Sequence, residues 1–177
     1  MRLSMVVGSL VVGSTMIVGG QSAPDGKLLA QLKLLFPSAS AFSAKEPSPP
    51  HFKAYAGDAS GARRVLGVAF WTTELEPLER GYYAPIKMLV GMDIKGVLAG
   101  VVVVEHHEPY GYFSIERKEF AAQFVGKNIR DAFRVGADVD AISRASVTTQ
   151  SATRAIRNSA RRVARQLLSP IPLQEER

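Results

Sequence analysis

The chain has 177 residues, 46% of them hydrophobic, which suits one packed domain behind an N-terminal segment and argues against disorder over most of the length. A net charge of +6 leaves nucleic acid, an anionic membrane surface or an acidic protein open as partners. The absence of cysteine excludes disulfides, cysteine-bound zinc, iron–sulfur clusters and a thiol nucleophile.

Residues 1–22 place Arg2 before an apolar run, Leu3 to Val18, that ends in Gly19-Gly20-Gln21-Ser22. This reads as a secretory signal, with Gly20 and Ser22 at the small positions before a cleavage site, or as an uncleaved membrane anchor. The run is slightly short for a membrane span. Either reading predicts an exported, periplasmic location. Residues 23–50 are expected to be a helix and a proline-rich linker. Lys27 to Phe36 has apolar residues at 28, 29, 32, 35 and 36, the spacing of a one-sided helix stopped by Pro37. Pro47, Pro49 and Pro50, among small and polar residues, mark residues 38–50 as a linker or an ordered surface loop.

The domain proper is expected over residues 51–170. Strands are predicted at Phe52–Tyr55, Arg64–Thr72, Ile86–Asp93 and Val97–His106. The last two form a hairpin through Lys95-Gly96, placed centrally in an antiparallel sheet. A short helix follows at Arg117–Phe124, and a brief extended piece at Val139–Ile142. The last helix is predicted from Thr149 to Leu168, with Ala152, Ala155 or Ile156, Ala160 or Val163, and Leu167 as its buried stripe. Its arginines, at 154, 157, 161, 162 and 165, read chiefly as a solvated face, or as a surface for an acidic redox partner or anionic lipid. Few interleaved aromatics and the export signal argue against nucleic acid. The predicted fold is α+β: an antiparallel sheet packed by a long C-terminal helix and shorter helices.

Two short segments carry chemistry. The first is Asp140-Ala141-Ile142-Ser143-Arg144-Ala145-Ser146-Val147-Thr148-Thr149, which puts an acid and four hydroxyls where a helix begins. The first N–H groups of a helix have no internal partner, and the helix dipole favours an anion there. Plain N-capping of the helix is the competing explanation. The second is Glu105-His106-His107-Glu108-Pro109 at a strand end. Neighbouring strand residues face opposite ways, so His106 and His107 are poorly placed to share a metal; a strand end or a pocket wall remain. Among the aromatics Trp71, Tyr82, Tyr83, Tyr110, Tyr112 and Phe113, Trp71 is assigned to the core, while Tyr110 and Tyr112 suit a pocket or the surface.

The first segment resembles the flavinylation motif Asp-x-x-Ser/Thr-Gly-Ala-Thr of FMN-binding domains, through Asp140, Ser143, Ala145, Ser146 and Thr148. Arg144 stands in the place of the usual glycine, as in the nitrous oxide branch of that family, and Ser146 in the place of the usual threonine. Leu35-Phe36-Pro37, Gly67-Val68-Ala69-Phe70, Glu79-Arg80-Gly81-Tyr82, Leu89-Val90-Gly91-Met92-Asp93 and the histidine segment are similar, in order, to NosR/NirI flavoproteins. The resemblance implies an FMN-binding electron carrier, its cofactor esterified to Ser146 by a separate flavin transferase that uses FAD. It implies a phosphate held by Ser146 with Thr148, Thr149, Asp140, Ser143, Arg144 and Ala145, and a ring lying toward His106, His107 and Glu108. A membrane or periplasmic redox partner and a role in nitrous oxide reduction follow from the same resemblance. A flavin-free module that docks a partner through its basic helix is the alternative.

Overall fold

A computed structural model describes residues 23–57 and 62–168; the apolar run read as a signal or anchor lies outside the described residues. Helix α1 (Gly26–Leu35) opens the fold. The Asp25 carboxylate caps it by accepting from the Leu28 N–H at 2.8 Å, and it ends at Leu35, two residues before Pro37. Strands β1 (Ala41–Phe42), β2 (Glu46–Pro47), β3 (Pro50–Gly57) and β4 (Arg63–Trp71) follow, then a single helical turn, α2 (Thr72–Leu75). After β5 (Lys87–Asp93) and β6 (Leu98–Glu105) come α3 (Lys118–Ala122) and the long α4 (Ser146–Leu167).

The fold is α+β. Its sheet runs β1-β3-β4-β5-β6, with β2 paired to β3, and its pairings are antiparallel. Helices cover both faces. On one, α3 with the turn after it and α4 bring Phe120, Phe124, Ile156 and Ala160 against Phe70, Met88, Val90 and Met92. On the other, α1 lays Leu32, Leu35 and Phe36 over Phe52, Trp71 and Leu89. Burial of both faces explains why β5 reads as an unbroken apolar run rather than an alternation. Among the described residues, no helix is long and apolar enough to cross a membrane.

Four expectations are refined or corrected. Of the two readings of residues 38–50, linker or ordered surface loop, the segment is ordered and adds two short strands, since β1 and β2 both pair with β3 and α1 is bound into the core beside them. The β5–β6 hairpin is not central: β6 is the last strand, its start closed by Leu98 N–H to Lys127 carbonyl at 2.8 Å. Val139–Ile142 makes only a bridge, Val139 to Val135. Helix α4 begins at Ser146, three residues before the predicted start, so all the motif's later hydroxyls fall within its first turn.

Leu32 is fully buried between α1 and the sheet. Leu32→Ala is expected to lower stability by about 2–5 kcal/mol in urea unfolding, the cost of a core cavity; a helix merely tethered to the domain would leave the midpoint unchanged.

Candidate functional site

Two chain segments meet at the start of α4. The first is a turn, closed by the Ala145 N–H donating to the Ile142 carbonyl at 3.1 Å. Its third residue, Arg144, has φ of 65°, the left-handed region that glycine enters without cost. This accounts for the usual glycine of the motif: the turn demands that conformation whatever the side chain. Helix α4 then starts from Ala145, which offers no side-chain cap. Its first N–H groups are therefore left for another acceptor. Ser146, the first helical residue, is exposed beside them. Ser143 and Arg144 are exposed too, and Asp140, also exposed, is tethered by its N–H to the Gln123 side chain at 2.6 Å.

The second segment is Glu105 to Tyr110, leaving the end of β6. Glu108 is 7% exposed, and its carboxylate is surrounded by protein donors. The Tyr82 N–H donates to it at 2.8 and 2.9 Å, the Tyr83 N–H at 3.4 Å, and the Thr148 hydroxyl donates as well. A side chain on Gly81 would strike this carboxylate, since an added Cβ lies 2.3 Å from an oxygen. One buried acid thus joins the 81–83 loop, the β6 exit and the first turn of α4. His106 supports it: the ring Nδ1 accepts from the Glu108 N–H at 3.1 Å, and Nε2 lies 2.9 Å from Glu116. The ring packs flush on Gly111, where a Cβ would come within 2.1 Å of it.

The expected site residues therefore separate by role. Ser146, Ser143, Arg144 and Asp140 lie at the surface around the helix start, with buried Ala145 among them. Thr148 and Thr149 do not offer their hydroxyls there. Thr148 is 3% exposed and bonded to Glu108, and Thr149 is fully buried. In a helix, residues two and three positions on from Ser146 turn toward the sheet; of their N–H groups that of Thr149 already donates to the Ala145 carbonyl at 2.9 Å, which leaves the Thr148 N–H at the helix end. Glu108 is a brace rather than a wall, and His107 is exposed at the surface. A cleft of about 640 Å³ does border His106, but its other side is Glu116, Arg117 and Lys118 rather than aromatics. Exposed aromatic surface lies instead around the brace: Tyr82 and Tyr83, in edge contact at 4.9 Å, and Tyr110, against Phe113 at 5.4 Å. Val147, on the first turn of α4, is exposed as well. Gly81 escaped the sequence reading as a site residue, and Tyr82 figured there only as one of the aromatics; the signal was the Glu79-Arg80-Gly81-Tyr82 segment, whose glycine marks a close approach.

The arginines of α4 are more structural than a solvated face. Arg154 grips Glu79 with Nη2 at 2.8 Å and Nε at 3.2 Å, and this hydrogen bonding raises its pKa. Arg162 pairs with Glu76 at 3.0 Å. Together they tie the loop leading to Gly81 onto the helix.

An exposed hydroxyl, uncapped N–H groups and a cation at one helix start, beside an aromatic surface, fit a phosphate with a flat ring attached. Residues 81–161 match the FMN-binding domain family, and this part of the chain is an FMN-binding domain. Its bounds take in the brace, the motif and most of α4. The chain is also similar to a protein of the ion-translocating oxidoreductase complex of Shewanella baltica (strain OS223). The two are 28% identical over 145 residues, covering 76% of this chain and 63% of the relative, so the chain spans less than two thirds of that protein.

Two outcomes test this geometry. Glu108→Ala leaves the Tyr82 N–H and the Thr148 hydroxyl without their partner and is expected to cost about 2–4 kcal/mol in chemical unfolding, with Glu108→Gln recovering part of it. Arg144→Gly is expected to raise stability by about 0.5–1 kcal/mol by relieving the left-handed backbone, whereas Arg144→Ala, which keeps the strain, gives no gain.

Proposed function

We propose that FMN is esterified through its phosphate to Ser146 and that the domain works as an electron carrier within a membrane redox complex. The observation that carries this is the division of hydroxyls at the helix start: Ser146 is exposed, while Thr148 is buried on Glu108. The Ser146 oxygen attacks the FMN phosphorus of FAD, a P–O ester bond forms as the pyrophosphate bond breaks, the serine proton is lost and AMP leaves. A separate flavin transferase performs this step. The helix N–H groups and Arg144 would hold the phosphate. Tyr82 and Tyr110 would offer flat surface to the ring, and the Glu108 brace would fix both relative to Ser146. When bound, FMN supplies two-electron uptake and one-electron release; the protein sets its position and surroundings.

The setting follows from two resemblances. The relative in an ion-translocating oxidoreductase complex supports a membrane redox complex as partner. The NosR/NirI motifs support respiratory electron transfer such as that to nitrous oxide. Export, by a cleaved signal or with residues 1–22 kept as an anchor, would place the domain in the periplasm beside such a complex.

Protein coexpressed with a flavin transferase is expected to keep its flavin after denaturation, with in-gel fluorescence and the mass of one added FMN. Ser146→Ala is expected to lose both while the fold, followed by circular dichroism, is kept. Retention of covalent flavin by Ser146→Ala would refute the attachment site.

A further inference from the structure

The far end of α4 holds the other notable cavity. The helix has 22 residues, so this end lies about 30 Å from Ser146. The cavity measures about 830 Å³, within the usual range for sites that take small organic ligands. It lies between the 94–96 turn, the 128–131 loop and the last turns of α4. Its walls are fixed. The Arg161 guanidinium donates to the Ile129 and Asp131 carbonyls, each at 2.8 Å, and the Ile129 N–H donates to the Gly96 carbonyl at 2.9 Å. The inner lining is apolar, with Ile129, Ala164 and Leu168 buried or half-buried. The exposed lining is cationic, from Lys95, Arg130 and Arg165, none of which pairs with a carboxylate among the described residues. The nearby acids are engaged elsewhere: Asp93 accepts from the Lys95 and Val97 N–H groups, and Asp131 from the Asn128 N–H.

We propose that this cavity binds an anionic amphiphile, a negatively charged head on an apolar chain. The chain would lie on Ile129, Ala164 and Leu168, and the head would meet Lys95, Arg130 and Arg165. Three cations with no carboxylate partner among the described residues, set around an apolar floor, attract an anion and gain further from burial of its chain. A neutral chain leaves the cations unused, and a bare anion leaves the floor wet. The site is separate from the flavin site and does not rest on it.

The test is calorimetric titration of the full chain with dodecyl phosphate below its micelle-forming concentration. Dodecylphosphocholine and inorganic phosphate serve as comparisons. Dodecyl phosphate is expected to bind at least about tenfold more tightly than either, and Arg130→Glu/Arg165→Glu to weaken it about tenfold, with added salt acting in the same direction. Lys95→Glu, on a surface turn, provides a second variant should the double one unfold. Vesicles of phosphatidylglycerol and phosphatidylcholine separate the sources. Co-sedimentation lost in the variant identifies a bilayer lipid, and titration without vesicle binding identifies a free amphiphile; either supports the site. Equal affinity in wild type and variants, equal binding of dodecylphosphocholine, or no binding of dodecyl phosphate would overturn it. Binding seen only after deletion of residues 169–177 would equally overturn it for the full chain.

Discussion

A carboxylate can sit in a protein interior only where donors surround it, and Glu108 has such a place between three pieces of chain far apart in sequence. It takes the N–H of Tyr82 from a loop, the hydroxyl of Thr148 from a helix, and reaches both from the end of an edge strand. The neighbouring residues follow from that arrangement. Gly81 must lack a side chain because the carboxylate lies where one would be. Thr148 must turn inward, so the hydroxyl two residues earlier is the one left at the surface. His106 accepts the N–H of Glu108 itself and fixes the direction from which the acid enters.

The rest of the fold holds these pieces in register. Helix α4 is pinned along its length by packing on Met88, Val90 and Met92, and by Arg154 and Arg162 on Glu79 and Glu76. The loop bearing Gly81 and Tyr82 is thereby fixed to the helix by two ion pairs in addition to the Glu108 brace. The exposed pairs contribute little to stability individually, but the bidentate contact of Arg154 sets an orientation that point charges would not. Helix α1, on the opposite face, keeps β4 and β5 dry on both sides and so stiffens the strands that carry the site.

Much of this was legible in the sequence. Continuous apolar runs gave β4, β5 and β6 nearly to the residue, because strands buried on a face have little freedom of composition. The motif at 140–149 was legible as a helix start through its small and hydroxylated residues. What the sequence hid was contact at a distance. Nothing in Thr148 or Thr149 distinguishes a hydroxyl bonded to a buried acid 40 residues away from one waiting for a phosphate. Prolines at 47, 49 and 50 signalled a linker or an ordered loop, yet Glu46 and Pro47 pair with His51 and Pro50 of β3, since edge strands tolerate proline where the N–H would face outward. The arginines of α4 read as solvated by periodicity, while their carboxylate and carbonyl partners lie in loops that periodicity does not describe.

The account turns on which hydroxyl at the start of α4 is free to bear the cofactor. The most direct measurement is proteolysis of the flavinylated protein followed by fragmentation mass spectrometry of the flavin-bearing peptide. The structure predicts the FMN phosphoester on Ser146, with Thr148 and Thr149 unmodified. An ester on Thr148 would mean that Glu108 does not hold that hydroxyl in the mature protein, and would contradict the account at its centre.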